Sequence, residues 1–224
     1  MRNAVRRGKP GEDMGERDEE LLNVYDGDGQ VVGTRRRAEA KASGLAVGAV
    51  NALLVNARGE ILLQRRPADK ENGGAWDKSV GGHVDAGEEF DATLLREAGE
   101  ELFDDGRCGR VILAGSDAEF RNRVGREDLA RSVLLRRVAL QTNLRDVRRA
   151  PDGGRRVVVY HVAVYAGRTD VPLESFRPQA SEIQELRYFS APEVDGLFLS
   201  GELAPNMGFL WLTQGLALLG LVAR

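Results

Sequence analysis

Residues 80–104 read VGGHVDAGEEFDATLLREAGEELFD, and within them Gly82, Glu88, Arg96, Glu97, Glu100 and Glu101 fall at separations that decide how the rest of the chain is read. From Phe90 onward the stretch lacks Pro and repeats apolar residues at Leu94, Leu95, Ala98 and Leu102, the period of an amphipathic helix expected over roughly 90–104. On that helix Glu97, Glu100 and Glu101 stand at i, i+3 and i+4, so three carboxylates project from one face toward a cleft. Three such charges repel one another unless a cation lies among them. Oxygen ligands without Cys or paired His at metal spacing select Mg²⁺ or Mn²⁺ over zinc. A hard cation held this way is a partner for phosphate oxygens.

The spacing resembles the Nudix box: Gly, five residues, Glu, seven residues, Arg-Glu, an apolar and a free position, then Glu-Glu. The match runs from Gly82 through Glu101, with Ala98 apolar and Gly99 free. It then departs, because Phe103 occupies the slot of a final Gly and Asp104 the apolar slot after it. If that Gly serves to end the helix in the left-handed region, Gly106 takes over here, and the helix runs about one turn longer.

The resemblance implies an α/β/α Nudix sandwich with a mixed central sheet, and metal-dependent water attack on a diphosphate. It implies metal ligands at Glu97, Glu100, Glu101 and the carbonyl of Gly82, with Arg96 pairing with Glu88 to fix the loop against the helix. Glu182 and Glu185 resemble an acidic position near the last strand that supplies a further ligand in relatives, and Glu185 is assigned to it. The general base stays open among Glu97, Glu100, Glu182 and Glu185.

Outside the box, LLQRRPADK, WDKSVGGHV and the N-terminal hairpin resemble the branch that includes isopentenyl-diphosphate isomerase. The likeness extends from about Leu21 to Phe198. That chemistry uses a Cys just before the Gly-His step, where this chain has Gly81, and several ligand His residues, of which only His83 is matched. Hydrolysis of a nucleoside di- or triphosphate, or of another nucleoside-diphosphate derivative, is therefore the leading reading. The alternatives are an isomerase-like enzyme and a non-catalytic nucleotide sensor.

A chain of 224 residues suits one domain with additions. Its formal net charge of −3 argues against a stable nucleic-acid partner. Cys108 is the sole cysteine, which fits a reducing, cytoplasmic setting. Residues 1–19 read as a flexible tail without a secretory signal, and 20–224 as the Nudix domain. The apolar run MGFLWLTQGLALLGLVAR is short for a membrane span, so it reads as a core-packed helix or a homodimer interface.

The coarse elements follow from punctuation and alternation. LLNVYDGDGQVVGTRRR is a hairpin followed by a brief helix near 37–43. AVGAVNALLV and ILLQRR flank a NARGE turn, and DKSVGG is a short strand entering the cassette. RVILAG, SVLLRRVALQTNL and RRVVVYHVAVYAG are strands, the last two joined through PDGG, with an irregular or partly helical insertion at 117–130. SEIQELRYFS is a last strand, and APEVDGLFLSGEL begins as a helix. Arg65, Arg66, Lys70 and Trp76 are the candidates for substrate contact, and strand alternation allows only one of the adjacent arginines to reach it. His83 has two readings, a place at the metal edge and the more frequent one of a hydrogen-bonded loop residue, while His161, inside an apolar strand, reads as structural. The segments 117–130 and 168–180 are expected to select the group attached to the diphosphate.

Overall fold

Strands that are apolar on both faces must be covered twice, and the central strands of this chain have that pattern. In the computed structural model, which describes residues 19–104, 109–149 and 155–222, one mixed sheet carries it. The elements are β1 (Leu21–Tyr25), β2 (Val31–Arg36), α1 (Arg37–Ala42), β3 (Ala46–Val55), β4 (Ile61–Arg65), β5 (Trp76–Asp77), β6 (Val80–His83), α2 (Phe90–Phe103), β7 (Arg110–Ala114), α3 (Asp117–Val124), β8 (Ser132–Arg149), β9 (Arg155–Thr169), β10 (Glu185–Phe189), α4 (Ala191–Ser200) and α5 (Pro205–Val222). The tail over 1–18, Gly106, Cys108 and the PDGG turn lie outside the described residues.

The main path runs β10-β4-β3-β9-β8-β7. β3 with β9 and β7 with β8 are parallel, while β4 with β10 and β8 with β9 are antiparallel. The expected N-terminal hairpin is β1–β2, joined to β3 through β1. Among the described residues β6 pairs only with β3, which leaves its other edge open. That open edge positions the site.

Alternation assigns the two cores. Val50, Ala52 and Leu54 of β3, with Ala163 and Tyr165 of β9, pack on Phe90, Leu94, Ala98 and Leu102 of α2. Leu53, Val55, Val162 and Val164 face the other way, toward α3, α4 and α5. The result is the α/β/α arrangement expected from the chain. Leu95 departs from the expected apolar face, being 39% exposed. It lies one residue, about 100°, off the Leu94–Ala98–Leu102 stripe.

The end of α2 also differs from expectation. The helix does not extend toward Gly106; it stops at Phe103, and Asp104 itself turns left-handed at φ 50°. Asp tolerates this region better than most residues, because its short polar side chain bonds locally. Phe103 fits the slot of a Gly because it is an anchor. It is 1% exposed, lies 5.6 Å from the ring of Phe176, and packs where a Cβ on Gly109 would fall 2.2 Å from its ring.

The insertion contains a real helix, α3, whose N-cap Ser116 accepts from Glu119 N–H at 3.2 Å. α4 starts with a capping box between Ser190 and Glu193. α5 is core-packed: Met207, Leu210, Trp211 and Leu218 are buried, and Trp211 Nε1 donates to Asp195 at 2.8 Å. Among the described residues no helix is long and apolar enough to cross a membrane.

Candidate functional site

The C-terminal half of β6 and the middle of α2 approach more closely than two side-chain layers allow. A Cβ on Gly82 would fall 2.0 Å from Glu97 Oε1, so the missing side chain makes room for the carboxylate. At the preceding residue the open edge of β6 is used directly, since Gly81 N–H donates to Glu101 Oε2 at 3.0 Å. Gln64 of β4 approaches the other oxygen of Glu101 at 3.5 Å. Glu97, Glu100 and Glu101 all line one cavity of about 680 Å³. They do not share one exposure: Glu101 is 8% exposed, whereas the Glu97 and Glu100 side chains are 16% and 34% exposed.

Arg96 organises the acids around it. Its Nε and Nη2 donate to the two oxygens of Glu88 at 3.0 and 3.1 Å, and Thr93 Oγ1 donates to Glu88 at 2.8 Å. Nη1 reaches Glu97 at 3.0 Å and Glu100 at 3.4 Å, and Asp85 lies 3.2 Å from Nη2. The sequence-predicted Glu88–Arg96 pair is thus formed, within a wider net. The hydrogen bond from Arg96 holds the Glu88 carboxyl below its usual range. Burial pushes Glu97 up to about 7, against the lowering pull of Arg96 and with the Glu100 charge adding to the rise. Burial, then the charge of Glu97, raises Glu101 well above the ordinary carboxylate value.

Among the described residues, no three His, Cys, Asp or Glu side chains stand gathered closely enough to hold a metal ion. Arg96 Nη1 contacts both Glu97 and Glu100. The donor set nevertheless fits a hard dication. Glu101 is buried and Glu97 largely so, both offer oxygen only, and the charge of Glu97 raises Glu101, which a cation would relieve.

The remaining predicted residues separate clearly. Arg66 lines the cavity and bonds Asp77 at 3.1 Å. Arg65 does not line it; it points instead to Gly74 O at 3.1 Å and to Glu185 at 3.8 Å, as strand alternation requires. Lys70 turns to Glu182, 3.6 Å away, and stays off the cavity wall. Trp76 corrects the expectation of a stacking residue, because it is 6% exposed in the core, edge-on to Phe189 at 4.7 Å. Glu185 is likewise corrected as a ligand, being opposite Arg65 in register and off the cavity, whereas Glu182 lines it.

His83 lines the cavity beside Tyr160, and His161 is 1% exposed within the fold. The segment 117–130 contributes no residue to the cavity, contrary to expectation, while Gln179 from 168–180 does. Sequence reasoning missed Asp77, Lys78, Asn51, Tyr160 and Phe209, all of which line it. The Asp-Lys pair before Ser-Val-Gly-Gly was the available signal for the first two.

Helices on both faces of a mixed sheet, with a glycine-relieved carboxylate cluster at its open edge, define an α/β protein with an acidic cleft. The NUDIX domain model matches residues 45–207, and the chain belongs to that family. An uncharacterized Nudix hydrolase of Streptomyces coelicolor is 41% identical over 85 residues, covering 38% of this chain and 47% of that protein. Another, of Nostoc sp. (strain PCC 7120), is 38% identical over 87 residues, covering 38% and 52%. Isopentenyl-diphosphate Delta-isomerase 2 of Photorhabdus laumondii is 31% identical over 85 residues, covering 38% and 48%, in keeping with the branch resemblance. The chain thus spans about half the length of the curated relatives it matches. A crystal structure from Deinococcus radiodurans superposes with a TM-score of 0.57 at 23% identity, covering 85% of this chain and 96% of the other, which shows the fold.

Proposed function

We propose that the protein hydrolyses a diphosphate linkage in a nucleoside di- or triphosphate, or in another nucleoside-diphosphate derivative, with Mg²⁺ or Mn²⁺ as cofactor. The observation that carries this reading is the Glu97–Glu101 pair, packed against Gly81 and Gly82 in a cavity large enough for such a molecule. Glu97, Glu100, Glu101 and the Gly82 carbonyl would hold the cation. When bound, it neutralises charge on phosphoryl oxygens and makes a coordinated water more acidic.

The chain's own groups do the positioning. Arg96, fixed by Glu88, sets the turn of α2 against the loop, so the carboxylates keep their places. To hold a cation, Glu97 and Glu100 would have to give up Arg96, which would keep Glu88 and Asp85 as its partners. Glu97, Glu100 and Glu182 line the cavity and are the candidates for accepting a proton from water. Arg66 would meet the diphosphate from the sheet side. Gly81 leaves no thiol for an isomerase proton transfer, so the hydrolytic reading is preferred.

The test is a panel of diphosphate compounds incubated with Mg²⁺ or Mn²⁺, with products identified by mass. Cleavage at a P–O–P bridge, lost in Glu101→Gln, is the expected result. Isomerisation of isopentenyl diphosphate without any phosphate-containing product, or tight binding of a ligand that remains intact, would reject it.

A further inference from the structure

A second charged cluster lies on the cavity wall, with the opposite balance to the one around Arg96. Lys78 Nζ donates to Asp77 Oδ1 at 3.0 Å, and the Lys78 side chain is only 8% exposed. Asp77, whose side chain is 1% exposed, also accepts from Arg66 Nη1 at 3.1 Å. One buried carboxylate therefore carries two cations, and both line the cavity. The stem of Lys78 runs over Gly81, where an added Cβ would fall 2.1 Å from Lys78 Cε.

Stability alone does not account for this arrangement. Removing the Asp77 and Lys78 charges from water is costly, and well-packed apolar residues often serve a fold as well or better. Counted by itself the cluster carries one positive charge more than negative, and Lys78 also lies close enough to Glu101 for its charge to lower that carboxyl. Asp77 takes one of the three ammonium N–H donors of Lys78 and pins its head group, leaving the others for an anion. The neighbouring carboxylates of α2 point to a cation as their partner, so the anion that suits both clusters is a metal-bound diphosphate.

We propose that Lys78 is a direct ligand of the substrate's diphosphate oxygens, and that Asp77 is the positioning residue that aims Lys78 and Arg66 together. The inference rests on the reading of this cavity as a diphosphate site. It extends that reading to a residue marked by no spacing rule. It also explains Gly81: the strand gives up a side chain so that a lysine can pass over it.

The experiment uses the full chain and imidodiphosphate as a non-hydrolysed probe, titrated calorimetrically in EDTA and again in Mg²⁺. Loss of a charge-assisted contact is expected to raise the dissociation constant at least about tenfold in Lys78→Met. Gly81→Ala, which keeps every charge but obstructs the lysine, is expected to give a similar rise. Mn²⁺ affinity without phosphate, read by electron paramagnetic resonance, should change by less than about twofold.

Undiminished imidodiphosphate binding in Lys78→Met overturns the proposal, as does an absence of binding by the natural protein. An equal fall in Mn²⁺ affinity also overturns it, because Lys78 would then be acting through Glu101. Asp77→Asn should raise KM more than it lowers kcat, and an effect confined to kcat removes its positioning role. Should that variant fail to fold, Lys78→Met and Gly81→Ala still decide the matter. Lys78-dependent binding without cleavage of any diphosphate would sink the hydrolytic reading and leave the clamp standing.

Discussion

Around Arg96 one cation is shared by Glu88, Asp85, Glu97 and Glu100, whereas around Asp77 one carboxylate is shared by Arg66 and Lys78. Both clusters line the same cavity, yet their charge excesses have opposite signs. The clusters are not isolated from the α2 acids, since the charge of Lys78 lowers the Glu101 carboxyl against the raising effect of burial. The separation of excess charge still resembles the division expected of a site that binds a salt, with cation on one side and anion on the other.

The contrast is broken most severely by Glu101→Gln. This change keeps the shape and an acceptor for Gly81 N–H but removes the charge, and turnover with Mg²⁺ should fall by about a thousandfold or more. Circular dichroism should show the fold unchanged, and full activity would reject the assignment. Next in size is Gly82→Ala, whose methyl would meet Glu97 Oε1 at 2.0 Å. Displacing that carboxylate by about an ångström should cost roughly a hundredfold in kcat. A variant with unchanged rate and unchanged Mn²⁺ affinity would show that the contact is not needed.

Acidity sharpens the comparison, because the raised carboxyls sit in one cluster only. Glu97 binds its proton up to about 7 in the folded protein, against an ordinary 4.5. Between those values the folded state holds more protons than the unfolded one, so the metal-free protein loses stability as pH rises through the window. Cation binding needs the deprotonated form, so stabilisation by Mg²⁺ should grow over the same interval. Thermal melts at pH 5 to 8, with and without Mg²⁺, should diverge as pH increases, and parallel curves would contradict the coupling. The smallest effect is expected for Glu185→Gln, less than about twofold in any rate, since an exposed pair contributes little. A large loss in kinetics would restore Glu185 to the site.

The sequence made one cluster legible and not the other, for a physical reason. Glu97, Glu100 and Glu101 share a helix, where fixed periodicity turns spacing into a common face. The cores were legible too, because Leu53 and Leu54 must face opposite ways on any regular strand. Asp77 and Lys78 lie where the ladder is interrupted: Ser79 spends its hydroxyl on the β3 and β4 backbones, Leu54 N–H donating to it at 2.8 Å, and strand alternation stops there. Trp76 was misread because β5 is a two-residue strand with too little pattern to reveal that it faces the core. Glu182 precedes β10 rather than lying on it, so the register that pairs Glu185 with Arg65 gave no clue to its direction. Asp104 could not be foreseen as the left-handed exit while a nearby Gly offered a less strained one.

Gly81 and Gly82 are adjacent on β6 and point to opposite sides of it, one leaving space for Lys78 and the other for Glu97. Two neighbouring codons thus govern both polarities of the cleft. Enlarging either glycine would disturb one half of the charge pattern at its source.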